Sequence, residues 1–271
     1  MMAKVKVRHL LYLTILMIAL LAGVISYITL FVNHSGTIPA GNNWNYIRGA
    51  SPSITNNEVP VTFIGIESCQ FCAAERFALF DALSRFGNWT YYSNPVNLGD
   101  LPTGNYTTNP SPNALFYRAA EGDWTLNFLN PHLVYSSNYV NFTSVEVYNN
   151  GGQPLQTPTQ AQNSFMSRYD PSGAVPFTYI NNNFFEVGAG SSLVSSSGVI
   201  LFNFTGYAGS GTPPAYPPSY IISQFNINGS VINKGITTEA NYITAWICSG
   251  LKNKPNVCSS PEISQIVSKL I

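Results

Sequence analysis

An apolar run from Val61 to Ile66 leads into Cys69 and Cys72, and a helical pattern begins directly behind them. Leu79, Leu83 and Phe86 form its stripe, Phe77 and Phe80 lie beside it, and Gly87 closes it. Strand, Cys-x-x-Cys, helix narrows the fold more than any other stretch of this chain. The order sets a thiol at a helix N-terminus, where free backbone N–H groups and the helix dipole favour the thiolate. There the first cysteine is the exposed nucleophile, and the second, one turn on, attacks the mixed disulfide and releases the partner. Attack is assigned to Cys69 and resolution to Cys72. Gln70 and Phe71 between them carry no charge, so the spacer leaves the redox direction open.

The compartment is read from the first segment. Lys4, Lys6 and Arg8 precede an uncharged apolar run from Leu10 to Val32. That is long enough to cross a bilayer, which takes roughly 20 residues. Basic residues before it and none close behind predict residues 1–9 inside the cell, an anchor at 10–32, and the bulk of the chain outside. A cleaved signal peptide is the competing reading, but Asn33–Gly36 offers no clear small-residue cleavage site. Only 9% of the 271 residues are charged and the formal net charge is zero, so no basic field recruits nucleic acid.

Residues 33–57 are rich in Gly, Asn and Pro and read as a juxtamembrane linker. Trp44, Tyr46 and Ile47 leave a second reading open, an irregular extension packed on the domain. The domain proper is 58–271. Strands are predicted at Trp89–Tyr92, Tyr139–Tyr148, Val175–Ile180 and Phe184–Val187, the last two forming a hairpin over Asn181–Asn183. Helices are predicted from a Thr159 cap to Tyr169, from a Thr237 or Thr238 cap over Glu239–Leu251, and behind a capping box at Ser259–Glu262. Pro/Gly/Asn-rich insertions fall at about 94–130 and 191–219; within the first, 94–113 reads as a loop outside the core and 114–130 as a short ribbon or an irregular insertion. Strands interleaved with helices give an α/β class with a mixed sheet.

Three features are weighed around the motif. Cys248 and Cys258 lie at a helix end and before the next helix, and outside the cytosol a structural disulfide is their default pairing. A second, electron-relaying pair is the sharper alternative. They do not supply the second close cysteine pair that structural zinc usually needs, and His9, His34 and His132 form no cluster, so no metal site is expected. Glu67 and Glu75 flank the motif and read as surface residues satisfied by water, with proton shuttling as the alternative.

Phe63–Leu79, Leu83–Gly87, Phe142–Tyr148, Leu155–Thr159, Val175–Ile180, Val187–Gly190, Ala240–Cys248 and Pro255–Cys258 together resemble a family of membrane-anchored, mainly archaeal proteins catalogued as a domain of unknown function (DUF929). The resemblance spans about 59–190 and 239–258. It implies a thioredoxin-like fold, a mixed sheet flanked by helices. It also implies that Pro176 is a cis-proline beside the Cys-x-x-Cys and that Val175 pairs its backbone with substrate. The resulting expectation is a membrane-anchored extracytoplasmic thiol–disulfide oxidoreductase working without a cofactor. Its partners would be thiols of secreted or membrane proteins and a membrane redox partner. The competing class is a non-catalytic binding or cell-surface scaffold module whose Cys69–Cys72 disulfide is inert.

Overall fold

The computed structural model describes residues 35–36, 43–50, 54, 57–194 and 217–269. The anchor expected at 10–32 lies outside them, as does most of the 191–219 insertion. Among the described residues no helix is long and apolar enough to cross a membrane.

In chain order the strands and helices begin with β1 (Ser35–Gly36), β2 (Trp44–Ile47), β3 (Val59–Gly65), α1 (Gln70–Ser84), β4 (Gly87–Tyr91) and β5 (Asn94–Val96). There follow β6 (Tyr106–Thr107), β7 (Phe116–Arg118), β8 (Trp124–Leu126), β9 (Leu133–Ser137), β10 (Val140–Glu146) and α2 (Gln160–Tyr169). The chain continues through β11 (Phe177–Ile180), β12 (Phe184–Val187), α3 (Pro218–Phe225), α4 (Val231–Gly250) and α5 (Pro261–Ser268). The protein is therefore mixed α/β. Its main sheet has the order β1-β2-β12-β11-β3-β10.

β3 lies inside that sheet, parallel to β10 and antiparallel to β11. Side chains alternate between the two faces of a strand. Val59, Val61 and Phe63 join the larger core with α1 and α4, while Ile64 turns to the opposite core. There it meets Val145, Phe177, Tyr179 and Phe185, with Phe165, Met166 and Tyr169 of α2 packed against them. A strand covered on both faces reads as the continuous apolar run that the sequence displays. Residues 44–47, within the segment read as a linker, form β2 and pair with β12, so the packed-extension reading fits them. Trp44 and Ile47 are buried.

The first insertion departs most from expectation. Residues 94–113 read as a loop outside the core, yet Leu98 and Leu101 are buried within it. Leu115, Phe116 and Leu126 follow them into the core, and β8 packs on α1. Leu98 and Leu101, single apolar anchors among Pro, Asn and Gly, carry no strand or helix period, which is why the pattern hid them, whereas 114–130 does form the short ribbon, β7 paired antiparallel with β8. α4 also starts earlier than read. Ser230, not Thr237 or Thr238, caps it by accepting from Asn233 N–H at 3.0 Å, and Ile232 and Ile236 extend its buried stripe. The Thr159 cap of α2 forms as a reciprocal box with Gln162. The box expected at Ser259–Glu262 does not: Ser260 precedes α5 without a side-chain cap, and Pro261 occupies the first turn.

Cys248 at the end of α4 is bonded to Cys258, ten positions on, before α5. By chain entropy a loop of that size contributes about 2.5–3 kcal/mol. Replacing both cysteines with serine should lower the unfolding free energy by that amount, measured by guanidinium denaturation, with Cys69 and Cys72 intact.

Candidate functional site

Ile66–Ser68 link the end of β3 to α1, and Cys69 occupies the N-cap position. Its sulfur accepts from the Cys72 backbone N–H at 3.2 Å, taking the place of the usual Ser or Asp cap oxygen. Gly65 allows this close approach, since a Cβ there would lie 2.6 Å from the Phe63 ring and 3.3 Å from Cys72 Sγ. Both thiols are free in this structure. Cys69, expected to be exposed, retains only 5% of its surface, and Cys72 is fully buried.

The Val175–Pro176 peptide bond is cis, and the Cys69 thiol points to the Val175 carbonyl at 3.8 Å. The turn that presents Val175 is held by Asp170, whose carboxylate accepts from Ser172 N–H, the Ser172 hydroxyl and Ala174 N–H. Cys69, Cys72 and Val175 therefore meet at one point. Cys248 and Cys258 are spent on each other and supply no thiolate to a zinc site with the first pair.

The two thiols differ in electrostatics. The Cys72 side-chain hydrogen bond holds the Cys69 pKa below the usual thiol value, against the opposing effect of burial. Burial first, then the bonded neighbour, pushes Cys72 well upward. Such a pair ionises at Cys69 first, which is the order that attack followed by resolution requires.

Charge near the pair comes from positions that sequence reasoning passed over. Glu121, in the turn between β7 and β8, accepts from Gln70 N–H at 2.8 Å, and its charge raises the Cys69 pKa. Arg76, fully buried on α1, forms a two-pronged pair with Glu146 at 3.0 and 2.7 Å. It also donates to Thr125 Oγ1 and the Ile66 carbonyl and lies over the Phe63 and Tyr117 rings. Burial disfavours the guanidinium charge, but Glu146, Tyr117 and Cys72 together outweigh it, and the Arg76 pKa is raised. Its field lowers both cysteine pKa values.

Glu67 and Glu75 are not hydrated surface residues. Glu67 is buried and accepts from Asn150 N–H at 2.9 Å, and burial lifts its pKa. Glu75 is wholly enclosed beside Glu186 and Glu239. The signal for Glu75, Arg76 and Glu146 was present in the sequence: charged residues inside apolar runs of a chain that uses charge sparingly.

The family model described as a domain of unknown function (DUF929) matches residues 49–249. No curated protein matches the chain. No solved structure matches it either.

Glu121→Gln keeps an acceptor for Gln70 N–H and removes the charge that raises Cys69. The Cys69 pKa should fall, and alkylation by iodoacetamide below neutral pH should speed up, measured as pseudo-first-order rates in a Cys72→Ser background.

Proposed function

We propose that this chain, which belongs to the DUF929 family, is a thiol–disulfide oxidoreductase of thioredoxin-like fold. The fold reading is supported by β3 lying between parallel β10 and antiparallel β11, with Cys69 directly after β3 and Pro176 directly before β11. The activity reading is carried by one observation. A cysteine with a lowered pKa caps α1 beside a backbone carbonyl, with a second thiol one turn behind it.

In the reductive direction the Cys69 thiolate attacks one sulfur of a substrate disulfide. A Cys69–substrate S–S bond forms, the substrate S–S bond breaks, and one substrate thiolate leaves. Cys72 gives its proton to that departing thiolate and attacks Cys69 Sγ, forming the Cys69–Cys72 disulfide and releasing the second substrate sulfur as a thiolate. Two electrons pass to the substrate, and the reverse sequence oxidises a dithiol. No further cofactor takes part. Val175, half-exposed at the edge of the pair, offers its backbone to the extended substrate segment, and Pro176 holds it there.

The proposal includes the location: anchored through 10–32 with the domain outside the cytosol, acting on secreted or membrane protein thiols and regenerated by a membrane partner. Its support is the Lys4, Lys6 and Arg8 cluster ahead of that apolar run. The second reading is a binding module with an inert disulfide, and the small exposed area of Cys69 favours it.

The protein should catalyse insulin reduction by dithiothreitol. Cys69→Ser should abolish turnover, and Cys72→Ser should accumulate a mixed disulfide visible on a non-reducing gel. Variants that both match the wild type would exclude this chemistry.

A further inference from the structure

Next to Arg76 in sequence but about 100° round α1 from it, Glu75 meets two other carboxylates, so that three converge from three elements: Glu75 on α1, Glu186 on β12 and Glu239 on α4. One oxygen of each lies within 4.8 Å of the others, and all three side chains are fully enclosed. Their hydrogen bonds are few. Glu239 accepts from Trp44 Nε1–H at 2.7 Å and from the Ser192 hydroxyl at 3.1 Å, and Glu75 accepts from Gly190 N–H at 3.2 Å.

The other oxygens are unsatisfied. Both Glu186 oxygens and Glu75 Oε1 have no hydrogen-bond partner among the described residues. Thr178, directly opposite Glu186 in the β11–β12 register, also keeps a buried hydroxyl without a partner. Directly paired residues stand on the same face of a sheet, about 4.5–5.5 Å apart at Cβ. Three carboxylate oxygens and one hydroxyl oxygen are thus shut away from water on these residues, and each costs about 1–3 kcal/mol while unpaired. Burial first, then mutual repulsion, pushes Glu75 and Glu186 well above the usual carboxylate range, and burial takes Glu239 to about 7.

We infer that Glu75, Glu186 and Glu239, with Thr178, bind a hard divalent cation, calcium in preference to magnesium. A proton neutralises one carboxylate, whereas a divalent cation neutralises two and gives all the unsatisfied oxygens a partner. The donor set is oxygen alone, with neither imidazole nor thiolate, which selects hard cations over zinc or copper. Magnesium dehydrates reluctantly and usually keeps several waters, whereas calcium accepts a flexible cage of carboxylate oxygens, so a fully enclosed cluster of three carboxylates favours calcium. Gly190 completes the cradle, since a Cβ there would fall 1.8 Å from Glu239 Oε2. The inference is independent of the cysteine chemistry.

The test uses the full-length chain in detergent, stripped with EDTA and titrated with calcium, magnesium or terbium near neutral pH. Calcium should raise the thermal midpoint saturably, with one ion per chain by titration calorimetry, and magnesium should act more weakly. Terbium should luminesce through Trp44 excitation and be displaced by calcium. Glu186→Gln, isosteric and uncharged, should unfold at a higher temperature than the wild type in EDTA and bind calcium more than about tenfold more weakly. No thermal response to calcium together with no sensitised terbium emission from the wild type would overturn the inference. An undiminished calcium response in Glu186→Gln would do the same.

Discussion

The Arg76–Glu146 ion pair is the interaction on which the rest of the structure depends. α1 is enclosed by the main sheet, by α4 and by the first insertion, so a charge one turn behind Cys72 has no route to water. Glu146, at the end of β10, answers it from the strand parallel to β3. Removing one partner of such a buried pair typically costs 3–5 kcal/mol, because the other is left charged and uncompensated. The pair joins α1 to the sheet at one fixed height. The same height brings Cys69 level with the Val175 carbonyl, and the positive field of Arg76 reaches both sulfurs.

Around that anchor the environment separates two chemically identical side chains. Cys69 sits where a helix begins, with unsatisfied N–H groups and a neighbouring thiol to stabilise negative charge. Cys72, three residues on, is under the core and is penalised for ionising. The first insertion contributes to both sides of this balance. Its Thr125 supports Arg76 from beneath, while its Glu121 takes the first free N–H of α1 and adds a charge unfavourable to the thiolate.

Much of this was legible in the sequence because it has a period or a motif. β3 reads as a continuous apolar run, the β11–β12 hairpin as β-branched and aromatic runs around Asn181–Asn183, and α2 as a helix behind a Thr159 cap. What was missed has no period. Leu98 and Leu101 are isolated apolar anchors in a Pro- and Asn-rich stretch, and only the folded chain brings them into the core. Glu75, Glu186 and Glu239 are separated by more than a hundred residues at their widest, so their meeting is a property of topology. Glu67 and Glu75 read as hydrated because carboxylates are usually exposed, whereas the loop after β10 covers Glu67, and α4 with the loop after β12 covers Glu75.

In the proposed oxidoreductase the Cys69–Cys72 pair cycles between dithiol and disulfide. Its equilibrium with a dithiothreitol or glutathione buffer series, read by alkylation and mass shift, tests this most directly. A potential between about −270 and −120 mV is expected, the range of exchanging Cys-x-x-Cys proteins. A value below about −300 mV, where structural disulfides lie, would contradict it.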